Sequence, residues 1–207
     1  ESVPDYAGSE KVTVVRSQEV GDLRANGQLV GAALGAEPCV FFPVGDDIHY
    51  PHDYCATLEL YLGRFTEEVV VGVHAGVLPP GLSSYRGDMK VLHYRSPQTR
   101  VEGVDILGTG TLAFRTAAIP IDVRAWPDTN MVDLCFAMEA RRRALPLLMI
   151  PRPAHWITAL DENQEDSIWM DVQRDDSRQT ALARELADLP RPRLPRRGLR
   201  RLRYREA

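Results

Sequence analysis

The 207-residue sequence predicts an α/β fold in which a mostly parallel sheet is flanked by helices. Three observations lead there. Strand-like and helix-like segments alternate between residues 12 and 73, the order expected of sheet strands joined by crossover helices. The run from Cys39 to Val44 is apolar throughout and stops at Gly45-Asp46-Asp47, as a strand covered on both faces does. A hydrophobic share of 44% suits one sizeable core, so one domain over residues 1–189 is expected, followed by a Pro- and Arg-rich tail, 190–207, too poor in apolar residues to form a core of its own.

Each element has its own warrant. Val12 to Val15 is short and β-branched, which favours a strand. Leu23, Leu29, Val30 and Ala33 recur at helical spacing within 22–34. Pro51 suits the first turn of a helix in which Tyr54, Leu58, Tyr61 and Leu62 share a face and Gly63 marks the end. Glu68 to Val73 reads as the next strand. The stretch from Pro79 to Ser84 has loop composition, and Met89 to Tyr94 and Val104 to Leu107 read as short strands. Beyond Pro127, Asp128 or Thr129 is expected to cap a helix with Met131, Leu134, Cys135 and Met138 on one face. Arg141, Arg142 and Arg143 suit the dipole at its C-terminus. Pro146 to Ile150 reads as a strand and 166–189 as a helix.

The net charge of −4 conceals an asymmetry: residues 191–207 carry eight arginines and one glutamate, and the remainder carries −11. An acidic body argues against a nucleic-acid-binding domain, and no nucleic acid partner is expected. The basic end suits an anionic membrane surface, and residues 190–207 are expected to be flexible unless bound. No apolar run approaches the roughly 18 residues that cross a bilayer, and the first residues are not a basic-then-apolar leader. Three cysteines lack the spacing of a zinc knuckle or disulfide framework, which fits the cytoplasm, or its inner membrane face. Cys39 and Cys135 are expected to be small buried hydrophobes.

The strongest local chemical signal is Gly45-Asp46-Asp47-Ile48-His49-Tyr50-Pro51, two carboxylates at the sheet edge where open α/β folds bind ligands. Hard cations such as Mg2+ and Mn2+ prefer oxygen, and a shell of one or two carboxylates is commonly completed by phosphates and water. The same carboxylates also suit a helix N-terminus without metal. Gly108-Thr109-Gly110-Thr111 lets backbone approach a phosphate or sugar closely, or forms a bulge, and lacks the lysine and spacing of a P-loop. No nucleophile elbow, Cys-His pair or HExxH helix is present, so covalent hydrolysis and a zinc protease site are not expected.

The segment from Phe41 to Pro51 resembles the metal-binding strand and turn of family 2 glycosyltransferases, which have the GT-A fold. Val71-Gly72-Val73-His74, Val104 to Thr111, Asn130 to Leu134 and Arg152 to Trp156 resemble, in the same order, segments of that family's bacterial branch. The resemblance implies an inverting, Mn2+ or Mg2+ dependent transfer of a sugar from a nucleoside diphosphate donor to a hydroxyl of a saccharide or other acceptor. It implies Asp47 and His155 as metal ligands and Asp133 as the general base. Asp22, Arg24, Asn26, Asp46, Gly108, Thr109 and Gly110 would contact the donor, and Trp156 the acceptor. Gly45 departs from the pattern, standing where the family carries its leading aspartate, and Gln28 stands where relatives often carry lysine. The family's first strand and helix would precede residue 1. These departures leave open a non-catalytic glycosyltransferase-like binding or scaffold module, and paired carboxylates on a sheet leave open a nucleotidyltransferase or pyrophosphatase. Each residue also has a plain structural reading: Asp133 as a helix N-terminal charge, Asp22, Arg24 and Asn26 as caps or exposed helix residues, His155 as a lone histidine, and Trp156 as packing.

Overall fold

The computed structural model describes residues 11–35, 37–160 and 175–195. Their strands are β1 (Val40–Phe41), β2 (Ile48–His49), β3 (Val70–Gly72), β4 (Ala75–Val77), β5 (Lys90–Leu92), β6 (Glu102–Val104), β7 (Ile106–Leu107), β8 (Leu112–Arg115), β9 (Leu147–Met149) and β10 (Thr158–Ala159). The α-helices are α1 (Ser17–Val20), α2 (Val30–Leu34), α3 (Tyr54–Leu62), α4 (Tyr85–Asp88), α5 (Val132–Arg142) and α6 (Ser177–Asp188).

The architecture is mixed α/β around a five-stranded sheet of order β1-β8-β3-β9-β6. The sheet is mixed rather than mostly parallel: β3 and β9 run parallel, and the other neighbours are antiparallel. A helical crossover precedes β9, because α5 lies between β8 and β9 in the chain. The chain reaches β6 and β8 without such a crossover, and they return antiparallel. Between β3 and β8 the chain builds a second sheet, β5-β4-β7, also antiparallel.

Period-two alternation divides the core. Val70, Leu112, Phe114, Leu147 and Met149 join one hydrophobic cluster, while Val71, Ala113, Leu148 and Ile150 join the other. Helix α5 covers the first face through Leu134, Cys135, Phe136 and Met138, with Ala183 and Leu186 of α6 in the same cluster. Tyr54, Leu58 and Leu62 of α3 cover the second. Gly63 ends α3 as expected, its N–H donating to Glu59 O at 3.0 Å.

Several expectations are corrected. Residues 12–15 form no strand, and their valines are exposed. The helix foreseen in 22–34 is a 3-10 segment, Arg24–Leu29, leading into α2, in keeping with two glycines in its span. Val104 to Leu107 is two strands in two sheets, because buried Asp105 turns between them. Helix α5 starts only at Val132; Asp128 instead accepts from the Asn130 N–H and pairs with Arg178. Cys135 is buried, but Cys39 is exposed, since it leads into the edge strand β1. Residues 190–195 follow α6 closely, and Arg191 is pinned to Asp105 at 2.9 Å. The expected lipid contact of the Arg-rich end falls on 196–207, outside the described residues, as does the 166–174 part of the helix foreseen over 166–189, whose remainder contains α6. No described helix is long and apolar enough to cross a membrane.

Candidate active site

The acidic turn, the Gly-Thr-Gly-Thr segment and the start of α5 meet around a cavity of about 620 Å³. Gly45, Asp47, Gly108, Thr109, Gly110 and Asp133 all line it. The sheet explains the meeting. Strand β1 delivers the acidic turn, β7 delivers the Gly-Thr segment, and the parallel neighbours β3 and β9 seat α5 across them.

The acidic turn is tied to the Gly-Thr segment by Tyr50. Its hydroxyl accepts from the Gly45 N–H at 2.7 Å and donates to Gly110 O at 2.6 Å, so one side chain ties the two loops together. Asp46 and Asp47 are both exposed, but only Asp47 faces the cavity. The space beside Gly45 is filled by Asp47 itself: a Cβ there would lie 2.7 Å from Asp47 Oδ1. Gly108 packs against His74, where a Cβ would approach the imidazole Cδ2 at 3.1 Å, so a glycine suits this close contact.

Asp133 is fixed through one oxygen. The Thr109 N–H and hydroxyl donate to its Oδ1 at 2.8 and 2.7 Å. Burial raises the Asp133 pKa above the usual carboxylate value, and the two Thr109 bonds oppose that rise. Tyr85 also lines the cavity; burial and then the Asp133 charge push its phenol upward.

The remaining expected residues scatter. Asn26 is fully buried, and its Nδ2 donates to Asp128 O at 2.7 Å, which makes it a brace between two segments instead of a donor contact. Asp22 and Arg24 line a separate cavity of about 690 Å³ with Trp126 and Arg178; Asn130, Met131 and Gln179 border both cavities. Trp156 packs in the second core cluster, 5.8 Å from the Tyr54 ring, and is not on the cavity wall. His155 has φ 54 and donates its N–H to Arg95 O; it too lies outside the cavity lining. The histidines that line the cavity are His74 and His93, with ring centroids 5.0 Å apart.

Sequence reasoning missed these two imidazoles, the Tyr50 bridge and Tyr85. A signal existed for part of this wall: Met89, Val91 and His93 alternate, and all three face the cavity. Gln28 also lines it, its Oε1 3.2 Å from Thr109 Oγ1.

Among the described residues no three His, Cys, Asp or Glu side chains cluster as a metal cage. Of the acidic turn, only the Asp47 carboxylate is on the cavity wall, an oxygen donor of the kind that suits a Mg2+ or Mn2+ ion whose other ligands are phosphate and water oxygens. Compared with known proteins, the chain matches no protein-family model and no curated protein.

Proposed function

We propose that this chain carries the catalytic core of an inverting, GT-A type glycosyltransferase that takes its sugar from a nucleoside diphosphate donor. The single observation that carries this reading is the placement of Asp47, the Gly108 to Gly110 backbone and Asp133 around one cavity. In this reading Asp47 is the metal ligand, with Asp46 beside it. A bound Mn2+ or Mg2+ would neutralise the departing diphosphate. The protein's own groups then do the rest. Thr109 holds Asp133 Oδ1, which leaves Oδ2 to receive the acceptor proton. As that proton leaves, the acceptor oxygen bonds to the anomeric carbon and the bond to the diphosphate oxygen breaks, inverting the centre. Burial suits Asp133 to this task, since a raised pKa makes it a stronger base.

Calorimetric titration with UDP and GDP, each with and without Mn2+, tests the reading. Metal-dependent binding of either nucleotide is expected. Absence of binding by a folded sample would favour a non-catalytic scaffold, consistent with Gly45 in place of a carboxylate. Release of nucleoside monophosphate in place of nucleoside diphosphate on turnover would favour pyrophosphatase or nucleotidyltransferase chemistry.

A further inference from the structure

The wall of the cavity contributed by the second sheet has a chemistry that the donor does not use. Strand β5 pairs with β4 so that Val91 faces Gly76, and alternation then puts Met89, Val91 and His93 on one side of the chain. Those three residues line the cavity, whereas Lys90 between them does not. Val91 remains 43% exposed, a large apolar side chain left uncovered at the cavity. Tyr85 stands on the same wall within electrostatic reach of Asp133, so the wall adjoins the proposed base. Its position is imposed from outside the cavity: the Tyr85 N–H donates to Thr180 Oγ1 and the Arg86 N–H to Asp176, both from the α6 region.

Charge narrows the occupant. Among the described lining residues only Asp47 and Asp133 bear formal charge, and none is a lysine or arginine. Burial lowers the pKa of both His74 and His93, so neither supplies a cation at neutral pH. With Asp47 given to the metal in the transfer reading, an anionic acceptor would still meet the Asp133 carboxylate with no lysine or arginine beside it among the described lining residues, which disfavours it. An unsubstituted sugar has hydroxyls all round, and the methionine and valine on this wall offer them no hydrogen bonds.

We infer that the acceptor is a neutral alcohol borne on an apolar body, such as an alkyl or aryl glycoside, and that Tyr85, Met89, Val91 and His93 receive that body beside Asp133. The word acceptor rests on the transfer reading above; the apolar subsite rests on the lining itself.

The test uses the full chain and three probes: n-octyl β-D-glucoside below its micellar concentration, D-glucose, and D-glucose 6-phosphate, with affinities read by NMR titration. Octyl glucoside is expected to bind about tenfold or more tighter than glucose, and glucose 6-phosphate more weakly than glucose. Val91→Glu is expected to erase the octyl advantage. Leu60→Glu, at an equally exposed apolar residue outside the cavity, is expected to retain it and so excludes unspecific detergent binding. Equal affinity for octyl glucoside and glucose, preference for the phosphate, or equal response of the two variants would overturn the inference. Nucleotide titration with Mn2+ separates the two readings. Nucleotide binding without a Val91-dependent octyl preference removes this inference alone. The octyl preference without nucleotide binding keeps the subsite and removes its assignment to an acceptor.

Discussion

The Tyr50 hydroxyl donates to the Gly110 carbonyl at 2.6 Å while accepting from the Gly45 N–H at 2.7 Å. Two loops distant in sequence thereby share one hydrogen-bonding atom. Tyr50→Phe keeps the ring and its packing 4.7 Å from Tyr54, but strands one donor and one acceptor. A loss of about 1–2 kcal/mol in stability is expected from chemical denaturation. Because the bridge also sets the spacing of the proposed donor loops, Mn2+-dependent nucleotide affinity is expected to fall as well. Full affinity in Tyr50→Phe would show that the loops are held together by other contacts.

Gly45 makes a second prediction at the same turn. A methyl group there would come within 2.7 Å of Asp47 Oδ1, and the carboxylate is the mobile party. Gly45→Ala is therefore expected to fold normally and to turn Asp47 away from its present direction, weakening metal-dependent nucleotide binding by about tenfold. Calorimetry with and without Mn2+ reads this directly, and an unchanged affinity would mean that the observed direction of Asp47 is not the one that binds.

These two residues show what could be read from the sequence and what could not. The buried strands 70–72 and 147–149 were evident because a long apolar run needs no partner to be recognised. The acidic turn and the Gly-Thr segment were visible as compositions. Their meeting is implied by the family resemblance and not by composition or spacing, since it depends on β1 pairing with β8, and β8 with β3, across intervals of tens of residues. The sheet was expected to be mostly parallel because strand and helix alternated early; the antiparallel returns lie in the middle of the chain, where turns and short strands carry little periodic signal. The resemblance of Arg152 to Trp156 implies His155 as a metal ligand and Trp156 as an acceptor contact. The backbone there instead sends Trp156 onto Tyr54, and the cavity takes its aromatic wall from Tyr85 and Tyr94.

Asp133→Asn should abolish sugar transfer while the fold survives, because the amide keeps the size of the side chain but cannot take a proton at Oδ2. The pH profile of the wild-type rate is a finer test. Only the carboxylate acts as a base, and its pKa is raised, so activity is expected to fall as pH drops through a value above the ordinary 3.8. Thr109→Val removes a bond that favours the carboxylate, and the acidic limb should then move upward in pH. A limb that stays in place in Thr109→Val would assign the titration to another group.

His74 predicts a stability change in acid. Burial first, then the neighbouring His93 and Arg152, lower its pKa from 6.5 to about 4 in the folded protein. The unfolded chain binds the proton more readily, so the stabilisation by the neutral ring is complete above pH 6.5 and is lost as pH falls toward 4. The full shift corresponds to about 3 kcal/mol. His74→Asn, which cannot titrate, should flatten the stability profile over that window in denaturation experiments at stepped pH. An equal acid slope in the variant would locate the effect elsewhere.

Asp105 carries the largest expected structural effect. It sits where the chain passes from β6 to β7, and its carboxylate accepts from the Leu78 N–H at 2.9 Å, from Arg141 at 2.6 Å and from Arg191 at 2.9 Å. The two arginines are not equivalent. The Arg141 side chain is 4% exposed and that of Arg191 61%, so removal of the carboxylate leaves a buried cation at 141 and a solvated one at 191. Asp105→Ala is expected to lower stability by about 3–5 kcal/mol, the range for breaking a buried pair from one side. Arg191→Ala should cost about 1 kcal/mol or less, because solvent already screens that partner. Urea denaturation of both variants decides the ranking. If Arg191→Ala proves as destabilising as Asp105→Ala, the stability of this junction resides in the docked segment after α6 and not in the Asp105 to Arg141 pair.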